Sequence, residues 1–154
     1  MPSNVHFVFV PGAWHSPYYY EPLIAELAKL GYSSETVPLH VDAIPAVESF
    51  DPDVEAVVSK LSQLMDGDKD IILGLHSYAG IVGIEAVGRL SEQRSAAGKS
   101  IDRLKRMVFI ASFIPFIGES GFTIPDKCPD DIKPENNPGW FSIEVSPLPR
   151  LHNR

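Results

Sequence analysis

Hydrophobic residues in this chain fall into four short continuous runs, separated by segments in which apolar residues recur with a helical period. The runs are rich in β-branched and aromatic residues, so each predicts a strand buried on both faces of a parallel sheet. They occupy His6–Val10, Ser34–Leu39, Ile71–Leu75 and Met107–Ala111. Strands that alternate with helices predict an α/β fold, in which a parallel sheet with four recognisable strands carries flanking helices.

Three segments between these runs place apolar residues on one helical stripe. The predicted helices are Glu21–Leu30, Asp53–Met65 and a third from Ser77 or Tyr78 to about Gln93. The residues expected to point inward are Leu23, Leu27 and Leu30 in the first helix, Val54, Val57, Val58, Leu61 and Leu64 in the second, and Ile81, Ile84, Val87 and Leu90 in the third.

Composition narrows the class of protein. The 154 residues contain 44% hydrophobic and 21% charged residues, as an ordinary globular domain does. A net charge of −7 provides no cationic surface, so we expect neither nucleic acid nor a membrane as partner. The single cysteine, Cys128, fits a reducing compartment, and the N-terminus lacks a signal-peptide pattern, so a cytoplasmic location is predicted. We expect residues 1–122 to form the core, and the proline-rich 123–154 to form a loop or the start of a cap, with a terminal tail.

A serine directly follows the third apolar run and precedes the third helix. A strand that breaks at Ser77 into a helix holds the hydroxyl clear of the backbone, as the nucleophile motif G-x-S-x-G does. Ala79 supplies the small residue that the motif requires two positions after the serine, whereas Leu75 stands where glycine is usual. The alternative is a serine that merely caps a helix.

The turn after the first apolar run supports the nucleophile interpretation. Pro11-Gly12-Ala13-Trp14 follows the strand, and the carboxyl ends of parallel strands meet at one crevice. Backbone N–H groups of Ala13 and Tyr78 could therefore face Ser77 and form an oxyanion hole. The alternative is a plain strand-to-helix loop in which Gly12 adopts a positive φ.

Three segments together resemble one family. H-F-V-F-V-P-G-A-W-H, L-H-S-Y-A-G and M-V-F-I-A-S-F-I-P-F-I-G-E-S are similar to segments of the α/β-hydrolase fold-1 superfamily, in particular of small esterases of the plant methyl esterase and hydroxynitrile lyase type and their fungal relatives. The likeness extends over roughly residues 5–144. It implies a nucleophile at Ser77, oxyanion donors at Ala13 and Tyr78, and a triad acid and histidine on loops after two later strands. For the four recognisable strands it implies the spatial order second, first, third, fourth.

Those later strands are not recognisable in the chain, so we expect an incomplete, C-terminally truncated α/β-hydrolase fold that is inert or nearly so. Without a base, a serine hydroxyl stays protonated and is a weak nucleophile. The residues considered as substitutes and given little weight are His6, His15, His40, His76, His152 and, as an acid, Glu119.

The function expected of the parent fold is hydrolysis of a small carboxylic ester through an acyl-serine at Ser77. Trp14 and Phe113 are expected to line the substrate pocket, and no metal or other cofactor is predicted. One alternative is a lyase on the same scaffold, and another is a non-catalytic fragment or binding remnant. The fourth strand, Met107–Ala111, would present an open edge, which predicts self-association.

Overall fold

A computed structural model describes residues 4–40, 49–67 and 69–115 of the chain. Contacts between residues divide the chain into two units, 1–114 and 115–154, and all the elements below belong to the first. The predicted domain boundary at 122/123, the proline-rich segment, Glu119 and His152 lie outside the described residues.

Strands and helices alternate along the described chain. In order they are β1 (Val5–Val10), a 3-10 turn (Pro17–Tyr20), α1 (Glu21–Lys29), β2 (Ser33–Thr36), α2 (Asp51–Asp66), β3 (Asp70–His76), α3 (Ala79–Ala96) and β4 (Leu104–Ile110).

The strands of the described residues form one parallel sheet in the order β2-β1-β3-β4. Val5 pairs with Asp70 at one end of the β1–β3 ladder and Val10 with Leu75 at the other, so these two strands end at the same edge. The predicted α/β class and strand order are confirmed. The second strand, predicted over Ser34–Leu39, is shorter and ends at Thr36.

The hydrophobic core lies on one face of the sheet. Alternate strand residues point to this face, and α2 and α3 cover it. Each fully buried aliphatic side chain contributes roughly 1.5–3 kcal/mol by leaving water. The core residues with no exposed surface are Val8, Val10, Ile71, Leu73 and Leu75 from the strands, Val54, Val57 and Leu61 from α2, and Ala79, Val82 and Ala86 from α3.

The opposite face is apolar but open. Strand residues of the alternate register form a groove of about 200 Å³ together with two leucines of α1. Val108 and Ile110 are 44% and 43% exposed there. The expectation of strands buried on both faces is therefore wrong for β4, whose Val108 and Ile110 remain partly exposed. Among the described residues, α1 is the helix that lines this groove. The groove residues are Phe7, Phe9, Leu23, Leu27, Ile72, Gly74, Val108 and Ile110.

Two of the predicted helical stripes need correction. No residue of α1 is buried, and Leu30, expected to point inward, is 71% exposed just after the helix ends. In α3 the buried positions are mainly small residues, whereas Ile81, Ile84 and Val87 are only half-buried. Small residues face the sheet because the helix lies so close to it. The α2 stripe is confirmed for Val54, Val57, Val58 and Leu61, whereas Leu64 is only half-buried and Met65 is buried beside it. None of the described helices is long and apolar enough to cross a membrane.

Candidate nucleophile site

Ser77 lies between β3 and α3 with a backbone φ of 54°. This left-handed conformation costs a non-glycine residue roughly 1–2 kcal/mol and persists only where neighbouring contacts hold it. The Ser77 N–H donates to the carbonyl of Ile110 at 3.2 Å. Its carbonyl accepts from the N–H groups of Gly80 and Phe113, each at 3.1 Å, and from the hydroxyl of Ser112 at 2.8 Å. The main chain of Ser77 is thus held on both sides, while its hydroxyl makes no hydrogen bond among the described residues.

Two glycines let α3 approach the strands that carry this turn. A Cβ added at Gly80 would overlap the carbonyl oxygen of Phe113 and the hydroxyl of Ser112. A Cβ at Gly83 would overlap the side chain of Leu75. Leu75 stands where the G-x-S-x-G motif has glycine, so the space that the motif normally provides on the strand is provided here on the helix. Sequence reasoning missed Gly83, although an unexplained glycine inside a helix was a signal of close packing.

The turn after β1 lies directly beside Ser77. A Cβ added at Gly12 would be 3.1 Å from the Ser77 Cβ and 3.1 Å from the His76 Nδ1. Within the described part of the chain, neither the Ala13 N–H nor the Tyr78 N–H donates a hydrogen bond. Two uncommitted backbone donors therefore flank the serine, and their roles as oxyanion donors remain a prediction.

Of the two residues predicted to line the substrate pocket, Trp14 lines a small cavity beside the turn after β1 and Phe113 does not. Trp14 has a φ of 59° and a side chain that is 59% exposed. It lines a pocket of about 120 Å³ with Gly12, His15, Ser16, Pro17, Pro38 and Leu39. Phe113 is 38% exposed and does not line this pocket; it contacts the turn through its N–H bond to the Ser77 carbonyl. The Tyr78 side chain points elsewhere, to Asp53.

Two histidines lie near the nucleophile turn without contacting the serine hydroxyl. The rings of His15 and His76 are 5.3 Å apart in an edge-to-face arrangement, and the His15 Nδ1 is 2.8 Å from the Ala13 carbonyl. Burial, with the nearby His15, lowers the pKa of His76. His6 is held away from the site by Ser33 and Glu35. No base therefore contacts Ser77 among the described residues.

Tyr78, the residue after the serine, is anchored to a buried carboxylate. Its hydroxyl donates to the Asp53 Oδ2 at 3.1 Å, and Asp53 has no exposed surface. Burial, followed by the charge and the hydrogen bond of Asp53, raises the pKa of the Tyr78 phenol. Sequence reasoning missed Asp53 as well; the signal was a carboxylate on the apolar stripe that also carries Val54 and Val57.

The comparisons with known proteins identify the family. Residues 7–153 match the family described as "Alpha/beta hydrolase family". The chain belongs to this family. It is 29% identical over 138 residues to the alpha/beta hydrolase nvfD of Aspergillus novofumigatus, an alignment that covers 88% of this chain and 54% of that protein.

A solved structure of the same family resembles the chain in three dimensions. It is an extracellular alpha/beta-hydrolase from a Paenibacillus species, described as sharing structural and functional homology with tobacco salicylic acid binding protein 2. The TM-score is 0.59 at 28% identity, over 82% of this chain and 47% of that one. The predicted family resemblance is confirmed. The chain spans about half the length of both relatives.

Proposed function

We propose that this chain provides the nucleophile and oxyanion-binding part of a serine esterase that acts on a small carboxylic ester. The left-handed backbone of Ser77 carries the proposal, because a serine in that strained conformation, held by neighbouring main chain with its hydroxyl uncommitted, is what a nucleophile requires. The resemblance to small esterases supports the ester as the substrate class.

The proposed reaction begins when the Ser77 Oγ bonds to the ester carbonyl carbon and gives its proton to a base. The carbonyl oxygen becomes an oxyanion that accepts hydrogen bonds from the Ala13 and Tyr78 N–H groups. Each such donor is worth on the order of 10²–10³ in turnover. The intermediate collapses as the C–O bond to the alcohol breaks and the alcohol takes up the proton. Water then hydrolyses the acyl-serine by the same steps.

The base is the part of this machinery that the described residues do not provide. We therefore expect Ser77 in this chain to react slowly, since its hydroxyl is almost wholly protonated at neutral pH. The same observation favours a second candidate function, a non-catalytic binding protein that retains the architecture of the turn.

A fluorophosphonate probe distinguishes these two functions. Attack by the Ser77 Oγ on phosphorus forms an O–P bond, expels fluoride and releases a proton to a base. We expect slow labelling at Ser77, measured by intact mass and peptide mapping, and faster labelling when imidazole is added as an external base. Ser77→Ala should abolish the label, whereas Ser59→Ala, at an exposed position of α2, should leave it unchanged.

The outcome of this experiment is decisive in either direction. Labelling at Ser77 that imidazole accelerates would support a built nucleophile site that lacks a base. Folded protein that stays unlabelled, even with imidazole, would rule out the esterase proposal and leave the binding function.

We also propose that a second copy of the chain pairs with β4. This strand is at the edge of the described sheet, and its second half exposes Val108 and Ile110. Its first half carries Lys105 and Arg106, charged residues of the kind that discourage edge pairing. Pairing would therefore involve the second half, and sedimentation tests it.

A cytoplasmic location stays a proposal that rests on the single cysteine of the sequence, Cys128. The Paenibacillus relative is described as extracellular. Fractionation of cells that express the tagged full chain would decide between the two compartments.

A further inference from the structure

Asp53 is a carboxylate with no exposed surface, placed in the first turn of α2. Its Oδ2 accepts from the Tyr78 hydroxyl at 3.1 Å, and its Oδ1 accepts from the His40 N–H. The His40 Nδ1 also lies 3.5 Å from the Asp53 Oδ1. No lysine or arginine among the described residues pairs with it. A buried carboxylate is costly unless hydrogen bonds compensate it, so these contacts are what its presence depends on.

The Asp53 carboxylate makes its hydrogen bonds to residues outside its own helix. An acidic residue in the first turn often accepts from free N–H groups of that turn, and the helix dipole favours its charge there. Here the Asp53 N–H donates to the Phe50 carbonyl at 3.1 Å, while both carboxylate oxygens point to other segments. The side chain joins His40 in the segment after β2, the start of α2 and the residue after the nucleophile serine.

Two segments therefore hold the turn at Ser77, one after β4 and the other at the start of α2. The segment after β4 holds the Ser77 carbonyl through Ser112 and Phe113. Asp53 holds the next residue, Tyr78, by the far end of its side chain. The free N–H of Tyr78 flanks the serine and shares a planar peptide unit with the Ser77 carbonyl. The hydrogen bonds to that carbonyl and the anchor on Tyr78 therefore both act on the direction of the N–H.

We propose that Asp53 is a positioning residue for the nucleophile turn, which acts through the Tyr78 phenol to fix the Tyr78 N–H beside Ser77. The proposal rests on the esterase function proposed above, since it assigns that N–H a role in binding the oxyanion. Asp53 itself touches no reacting atom.

A double-mutant cycle tests this role in the full chain. We expect Tyr78→Phe to slow imidazole-assisted phosphonylation of Ser77 by roughly 5- to 10-fold, the size expected for one lost hydrogen bond. Asp53→Asn should slow it similarly. If Asp53 acts through Tyr78, then Asp53→Asn should have no further effect in the Tyr78→Phe background, because the link is already broken.

A second measurement does not require labelling. Hydrogen exchange of the residue-78 amide should change in both single variants, and its ¹⁵N shift should change in Asp53→Asn, because the backbone there is no longer anchored. The matched control is Glu35→Gln, which disturbs another hydrogen-bonded carboxylate, contacted by His6 and Lys60 at β2. That variant is expected to alter thermal stability while leaving the Tyr78 amide and the Ser77 labelling rate unchanged.

The results separate the two proposals. If wild-type protein is not labelled, the esterase function fails, while the amide measurements still decide whether Asp53 positions Tyr78. If Tyr78→Phe folds but leaves hydrogen exchange of the residue-78 amide and the labelling rate as in wild type, the positioning role is overturned. Additive effects of the two substitutions on the rate would likewise overturn it. Because Tyr78→Phe keeps the ring, it remains informative where Asp53→Asn fails to fold.

Discussion

The two faces of the sheet are built from alternate residues of the same strands but have opposite environments. On the packed face, Leu73 and Leu75 have no exposed surface and lie against α2 and α3. On the open face, Val108 and Ile110 remain more than two-fifths exposed. Tyr78, the residue after the nucleophile serine, packs against the core on the packed face. Apolar character alone therefore does not show which side of a strand supports a site, whereas the helix packed against it does.

The largest expected effect tests this contrast directly. Leu73→Ala on the packed face should lower the free energy of unfolding by about 3–5 kcal/mol, because it removes buried methyl groups and leaves a cavity. Val108→Ala on the open face should cost less than about 1 kcal/mol, since its side chain is already partly in water. Urea unfolding of both variants gives the two values. Equal losses would mean that the open face is covered in solution.

The next effect compares two glycines of α3. Gly80→Ala should cost about 2–3 kcal/mol, because the new Cβ meets backbone that cannot move freely. Gly88→Ala has open space around its Cβ and should stabilise the helix by about 0.5–1 kcal/mol. Thermal melts of the two variants measure the difference. A harmless Gly80→Ala would contradict the tight contact between α3 and the segment after β4.

Gly83 and Leu75 offer a finer test of the same packing. Gly83→Ala meets the flexible end of the Leu75 side chain, so we expect a loss of about 1–2 kcal/mol in the free energy of unfolding. Leu75→Ala provides room for the new methyl group. The two losses should therefore sum to at least about 0.5 kcal/mol more than the loss of the double variant, which measures their coupling. Strict additivity, seen in denaturant titrations, would mean that Gly83 is not what accommodates Leu75.

How much of this could be predicted from the sequence depends on whether a feature belongs to one segment or to a contact between two. Hydrophobic runs and helical periods are properties of single segments, and they predicted the α/β class. The α2 stripe was predicted correctly for the same reason, because Val54, Val57 and Leu61 are large and regularly spaced. The strand order came from the family resemblance.

The features that the sequence did not predict arise from close contacts. In α3 the apolar period favoured Ile81 and Ile84, but the buried face carries Gly80 and Gly83, whose small size matters only beside Ser112, Phe113 and Leu75. Asp53 resembles an ordinary first-turn acid until its partner, Tyr78 just before α3, is known. Ser77 was found because its signal, a serine between a strand and a helix, is local.

The open face gives a smaller effect, on self-association. Replacing Val108 or Ile110 by lysine puts charge on the half of β4 proposed to pair with a second copy. We expect each substitution to weaken self-association by about tenfold, since one charge at a sheet edge opposes both burial and pairing. Leu30→Lys, at an exposed position after α1, is the matched control and should have no effect. Wild-type protein that sediments as a monomer at all concentrations would refute the pairing.

The smallest expected effect is the pH dependence that Tyr78, on the packed face, gives to the free energy of unfolding. Its pKa in the folded protein is raised above the ordinary value of 10.0 by burial and by Asp53. Above about pH 10 the unfolded chain has therefore released this proton while the folded chain retains it, so the free energy of unfolding falls as pH rises. One group contributes a slope of at most about 1.4 kcal/mol per pH unit.

Urea unfolding at several alkaline pH values should give a shallower decline for Tyr78→Phe than for wild type. Tyr18→Phe, at an exposed tyrosine, should keep the wild-type slope. Burial also raises the pKa of Tyr20, which contributes equally to all three proteins, so the difference in slope isolates Tyr78. An unchanged slope in Tyr78→Phe would show that its phenol is not buried against the carboxylate in solution.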